Sequence, residues 1–118
     1  MSTKEEIQRM DRIMQLGCVA CAHLGIVMIA QECHHILYGN TRMGDLYTIP
    51  LCRGHHQGDW NDEQKQIIPP QYRVGISSGR KAFTRQYPTE RELWEIVQKR
   101  LKLPTTWPVP KLVPRRIA

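Results

Sequence analysis

Long hydrophobic runs are missing from this sequence. The longest, Gly25 to Ala30, ends at Gln31 and Glu32, far below the ~18 residues that crossing a bilayer takes. The opening residues, Met1 to Glu6, carry no apolar stretch of the kind found in signal peptides. Both absences point away from membranes and secretion and toward a reducing cytoplasm. There, cysteines serve as metal ligands before they form disulfides. Acidic residues are in the minority: 11 Asp plus Glu stand against 17 Lys plus Arg, for a net charge of +6. Such a balance favours polyanionic partners, nucleic acid first. No internal repeat is present. With 118 residues the chain is one small domain, or a domain with a tail. A core that small gains from a structural metal.

What is present begins with a helix over 3–16. Thr3 and Glu6 have capping-box spacing, as do Ser2 and Glu5, and Gly17 stops the helix. Ile7, Met10, Ile13 and Met14 fall on one face. Cys18 to Cys21 reads as a tight turn, Ile26 to Ile36 as a strand or hairpin arm, and Tyr38 to Gly44 as a polar loop. Leu46 to Pro50 reads as a second strand stopped by its proline. Cys52 to His56 suits a short helix or a metal-bound turn, and 61–78 reads as loop. A short helix near 80–87 carries Phe83. A last helix opens at Thr89 with Glu92 and runs to about Leu101, with Leu93, Trp94, Ile96, Val97 and Leu101 apolar. The final residues, with Pro104, Pro108, Pro110 and Pro114 among Lys111, Arg115 and Arg116, read as an extended tail.

The chemistry concentrates in two groups. Cys18-x2-Cys21 and Cys52-x2-His55 each place two donors on one turn. Both pairs can therefore reach one zinc ion at ~2.0–2.3 Å. The alternative is two unrelated buried cysteines beside a surface histidine, but two matching pairs favour zinc. Cys33 can replace His55 as fourth ligand or pack as a small buried hydrophobe; its solitary place mid-strand favours packing. Irregular spacing and the histidines argue against an iron–sulfur cluster. The second group is His34-His35, with His55-His56 about twenty residues on. Neighbouring strand side chains face opposite ways, so one ring can hold a metal while the other meets a substrate. Phosphodiester hydrolysis needs an activated water, a Lewis acid and help for the leaving oxygen. Histidine, titrating near ~6.5, suits the base. Mg²⁺ or Mn²⁺, or sometimes Zn²⁺, suits a site with one His from each element.

These motifs resemble the ββα-metal (His-Asn-His, HNH) nuclease superfamily. The resemblance is carried by Cys33-His34-His35-Ile36, by Thr48 to Cys52, and by His55-His56. It implies an α+β fold: a ββα-metal, treble-clef core braced by a zinc knuckle, with flanking helices. It implies that His34 and His56 bind the catalytic divalent ion and that His35 is the general base. Cys18, Cys21, Cys52 and His55 would form the structural zinc site. The sequence differs from the common pattern in having His55 where many members have Cys, and in lacking the usual Asn. A closer resemblance is to the Ref-type, RecA-dependent nucleases of phages and prophages. It spans roughly residues 15–100, through Gly39-x-x-Arg42 with Asp45, Gly58 to Asn61, and Gly79 to Leu93. That resemblance implies a DNA endonuclease acting on RecA-bound DNA or displacement loops in recombination, in a bacterial or phage-infected cytoplasm. The expected organisation is one nuclease domain over 1–103 and a Pro-rich basic tail over 104–118.

Other residues carry weaker signals. Asp45 and Asp59 are candidates for a third metal ligand or for orienting a histidine, or are solvated loop acids. Arg42, Arg53, Arg80, Lys81 and Arg85 are candidate phosphate contacts. His23 reads as exposed, and Trp60 and Trp94 as core. Against the endonuclease stands a different class: a non-catalytic zinc module that binds DNA or a recombination protein, with the histidines as structural ligands.

Overall fold

The computed structural model of the protein describes residues 3–107. Helix α1, Lys4–Leu16, starts where expected: the Thr3 hydroxyl accepts from the Glu6 amide (3.1 Å) and the Glu6 carboxylate accepts from the Thr3 amide (2.7 Å). It ends at Gly17, whose φ of +85° and close approach to the Met28 carbonyl both need the missing side chain. The buried face is displaced from the expected one. Ile13 is buried and Met14 packs at the edge of the core, but Ile7 is exposed and Arg9 is buried.

Cys18 to Cys21 is not a plain turn. Cys18 caps a short helix, α2 (Val19–His23), by accepting the Cys21 amide. The expected strand from Ile26 shrinks to β1, Glu32–His35. The residues before it are β-branched but lack a partner strand, and Val27 and Ile29 face solvent. A minor hairpin, β2 (Leu37–Tyr38) and β3 (Thr41–Arg42), occupies the expected polar loop. Strand β4, Thr48–Leu51, pairs antiparallel with β1, setting His34 opposite Ile49 and His35 opposite Thr48. Pro50 does not end it. Ile36 donates to Tyr47 (3.0 Å); the antiparallel alternation from there turns the missing Pro50 N–H away from β1.

Helix α3, Arg53–Gln57, follows at once. The stretch read as loop contains helix α4, Asp62–Ile67, opened by an Asn61–Gln64 capping box, and two 3-10 turns at Pro70–Tyr72 and Ile76–Ser78. Helices α5 (Arg80–Thr84) and α6 (Glu90–Leu101) complete the α+β arrangement. Leu93, Trp94, Val97 and Leu101 of α6 are buried as the pattern requires, with Ile96 at the core's edge. Pro104 to Trp107 lies back on the domain: the Pro104 carbonyl accepts from Gln98 (2.7 Å) and Trp107 meets Trp94 edge-on at 5.2 Å. The rest of the expected tail, 108–118, and Ser2 lie outside the described residues. No helix among the described residues is long and apolar enough to cross a membrane.

Arg9 ties three elements together. Its guanidinium donates to Gln98 Oε1 on α6 (2.9 Å), to Thr48 Oγ1 (2.7 Å) and to the Thr48 carbonyl on β4 (3.1 Å). Burial pulls its pKa down to about 10, so it remains charged at neutral pH. Truncation leaves buried acceptors unpaired. Arg9→Ala is therefore expected to cost about 3 kcal/mol in urea unfolding, while Arg12→Ala on the exposed flank should cost well under half of that.

Candidate active site

The first group assembles from two helix starts. Cys18 and Cys21 come from the opening of α2, Cys52 and His55 from the opening of α3. All four are buried, and their donor atoms lie within 4.8 Å of one another. The distances test the fit to zinc. His55 Nδ1 stands 3.5, 3.4 and 3.4 Å from the sulfurs of Cys18, Cys21 and Cys52, and the Cys21 and Cys52 sulfurs are 3.9 Å apart. A tetrahedral ion with ordinary zinc bond lengths requires edges of about 3.6 Å between N and S and about 3.8 Å between two sulfurs. The group therefore can hold a metal ion such as zinc, as a knuckle requires.

The surroundings suit thiolates. Cys18 accepts the Cys21 amide (3.4 Å), and Cys52 accepts the His55 amide (3.4 Å) and the Gln64 side-chain amide (3.2 Å). Mutual contact divides the sulfurs. Hydrogen bonds with Cys18 and Cys52, then burial, push the Cys21 thiol up, while the same contacts with Cys18 and Cys21 hold Cys52 down. A cation removes this conflict, because three thiolates in contact repel one another. His55 is oriented from behind. Its Nε2 lies 2.6 Å from the Tyr87 hydroxyl, which in turn donates to the Tyr72 carbonyl. Burial pushes the Tyr87 hydroxyl up, so it stays a donor. This chain fixes Nε2 as the protonated nitrogen of His55 and leaves Nδ1 to the metal. Trp60 covers the imidazole edge-on at 4.9 Å, and Gly54 allows it: a Cβ there would fall 2.2 Å from the Trp60 ring.

The second group lies on the hairpin. His34 and Glu32 point to one face of β1, and His35 and Cys33 to the other. On the first face, the His34 ring meets His56 of α3 at 5.2 Å. His34 Nε2 is 2.7 Å from Glu90 Oε2, and His56 Nδ1 is 2.8 Å from Glu32 Oε1. Arg80 reaches the other Glu90 oxygen at 3.1 Å. On the opposite face, His35 Nε2 is 3.2 Å from Asp45 Oδ1. Thr48 fixes the loop by donating to the Asp45 carbonyl (3.0 Å), and the Trp94 indole donates to the Leu46 carbonyl (2.9 Å). Cys33 stays out of the metal group and packs against the core.

The structure thus gathers His34, His35, His56, Asp45 and Arg80 about one hairpin. Asp59 stands apart, mostly exposed and 3.9 Å from Arg53. Arg42, Lys81, Arg85 and His23 are also exposed. Glu32 and Glu90 escaped the sequence reading. Glu32 had a signal, two residues before His34 on a strand; Glu90 had none, because it reaches the site only through the packing of α6.

A family model described as recombination enhancement, RecA-dependent nuclease, matches residues 2–102. The chain belongs to this family. Its name carries a RecA-dependent nuclease activity in recombination, and the match takes in both histidine groups and every described helix.

Two outcomes follow for the RecA-dependent nuclease knuckle. The purified protein should carry a zinc-type ion whose removal by a strong chelator unfolds it, and Cys21→Ser should lose that ion. Retention of cooperative unfolding after complete metal removal, read by circular dichroism and metal analysis, would falsify the structural role. Gly54→Ala should destabilise by about 2 kcal/mol, through the clash with Trp60.

Proposed function

We propose that this protein is a metal-dependent DNA endonuclease of the HNH type, with His35 as general base. The observation that carries the reading is the division of labour on β1. His34 faces His56 of the following helix, and His35 faces Asp45 on the other side. Family membership supports it independently.

The residues suggest the following sequence of events. Asp45 accepts from His35 Nε2–H, so Nδ1 of His35 carries the free lone pair. That atom takes a proton from a water. The water oxygen forms the new bond to phosphorus, and the bond from phosphorus to the 3′ oxygen breaks, leaving a 5′ phosphate. A divalent ion such as Mg²⁺ or Mn²⁺ on His34 and His56, when bound, would supply Lewis acidity for the departing oxygen. Glu32 holds the His56 ring through Nδ1 and leaves its Nε2 available. Arg80 beside the histidines, with exposed Lys81 on the same short helix, Arg85 at its C-cap, and Arg42 and Arg53 elsewhere around the hairpin and α3, would contact the flanking phosphates. The substrate in this reading is DNA coated or paired by RecA, including displacement loops, in a bacterial or phage-infected cell.

The test is cleavage of plasmid and displacement-loop DNA with Mg²⁺ or Mn²⁺, with and without RecA. His35→Ala should lose ~10²–10⁴ in rate while keeping its fold and its knuckle metal. Parental cutting by that variant would remove His35 from the mechanism. If the parent cuts under no condition, including on RecA filaments, the protein is a non-catalytic zinc module.

A further inference from the structure

Glu90 is the first residue of α6, next to its Thr89 cap. An acid in a first helical turn is favoured by the dipole alone and is content in water. This one instead turns inward: its side chain is 11% exposed, with one oxygen on His34 Nε2 and the other on Arg80 Nε.

We propose that Glu90 is the third protein ligand of the divalent ion assigned above to His34 and His56, an inference that rests on that assignment. The carboxylate already sits against Nε2 of His34. Its Oε2 is 2.7 Å away, and adjacent ligands of an octahedral ion with ~2.1 Å bonds stand about 3 Å apart. For this pair alone, a shift of a few tenths of an ångström suffices to share an ion. His56 has its Nδ1 engaged by Glu32, so it offers Nε2. Among the described residues only the cysteine–histidine group has all its donor atoms within 4.8 Å; His56 must therefore draw toward the His34–Glu90 pair as the ion enters. Arg80 occupies the second oxygen of Glu90, which leaves the first to bind as a single ligand. The chemistry gives the carboxylate a purpose. Two imidazoles alone favour zinc, nickel or copper, and a hard anionic oxygen shifts the site toward Mg²⁺ and Mn²⁺.

The experiment titrates the full chain, zinc retained in the knuckle, with Mn²⁺ alone, followed by electron paramagnetic resonance. Glu90→Gln preserves size and leaves the Thr89–Glu92 capping box intact. It is expected to weaken Mn²⁺ binding ~100-fold, the upper end of what losing an outer partner costs, with knuckle zinc and thermal unfolding unchanged. Co²⁺ placed in the same site should show altered ligand-field bands as water replaces the carboxylate. His34→Ala must also weaken Mn²⁺ binding; if it binds like the parent, the underlying site assignment fails. If His34→Ala loses the ion but Glu90→Gln keeps parental affinity, the ligand role of Glu90 alone is overturned. It is equally overturned if Glu90→Gln weakens Mn²⁺ but leaves the Co²⁺ bands untouched, because Glu90 then only positions His34. Should Glu90→Gln fail to fold, Glu90→Asp keeps the charge with shorter reach and is expected to bind Mn²⁺ more weakly; parental affinity there overturns the proposal.

Discussion

Three sulfurs and one imidazole, packed at the spacing of a tetrahedral ion, hold segments of the chain that have little else to bind them. Helices α2 and α3 have only five residues each, well below the length at which a helix is stable by itself. Each is capped by one of the cysteines it presents, so helix start and ligand placement are a single event. Around this point the core closes. Tyr87 and Phe83 stack at 4.7 Å and back the imidazole, and Ile49 and Leu51 of β4 lead the chain into the second knuckle. A chain of this size gains only a modest core from burial. A cation held by four buried donors would add what the core lacks.

The hairpin depends on a different device. Each of the three histidines gathered about the hairpin has its own carboxylate: Glu32 for His56, Asp45 for His35, Glu90 for His34. The carboxylates come from three places, namely the same strand, the following loop and a distant helix. Imidazoles on a short two-stranded hairpin would otherwise rotate freely, because a strand fixes the direction of a side chain but not its ring plane. A hydrogen-bonded acid fixes the ring, and at His35 and His56 it settles which nitrogen carries the proton. Arg9 supports the arrangement from below. It grips Thr48, and Thr48 grips the Asp45 carbonyl, so α1 reaches the His35 face through two hydrogen bonds.

Much of this was legible in the sequence where the determinant is local. Thr3 with Glu6 and Thr89 with Glu92 mark helix starts because both partners lie within one turn. Cys18-x2-Cys21 and Cys52-x2-His55 mark the knuckle because ligand spacing is a property of one turn. Asn61 with Gln64 carries the same signal as the other two caps, yet the prolines after it drew the reading toward loop. Ile26 to Ala30 misled for the opposite reason: strand propensity is realised only beside a partner, and β4 is spent on Glu32 to His35. The buried Arg9 broke the expected face of α1, since its acceptors lie 39 and 89 residues away. Glu90 is 56 residues from His34, and no pattern at that separation announces a contact.

The adjacency of His55 and His56 binds the two groups into one unit. On a helix, successive residues point about 100° apart, so a five-residue helix can turn one imidazole inward and the next toward the hairpin. His55 is fully buried among the sulfurs, while His56 is partly exposed against His34 and Glu32. The direction of His56 is thus set by the seating of His55. If the knuckle releases its ion, α3 loses its anchor, and His56 loses the orientation that Glu32 alone would have to maintain. A hydrogen bond of this kind contributes only about 1 kcal/mol net, far less than a bound structural ion. Seating His55 among the sulfurs thus also aims the neighbouring His56, and the histidines about the hairpin take part of their geometry from the cysteine–histidine group.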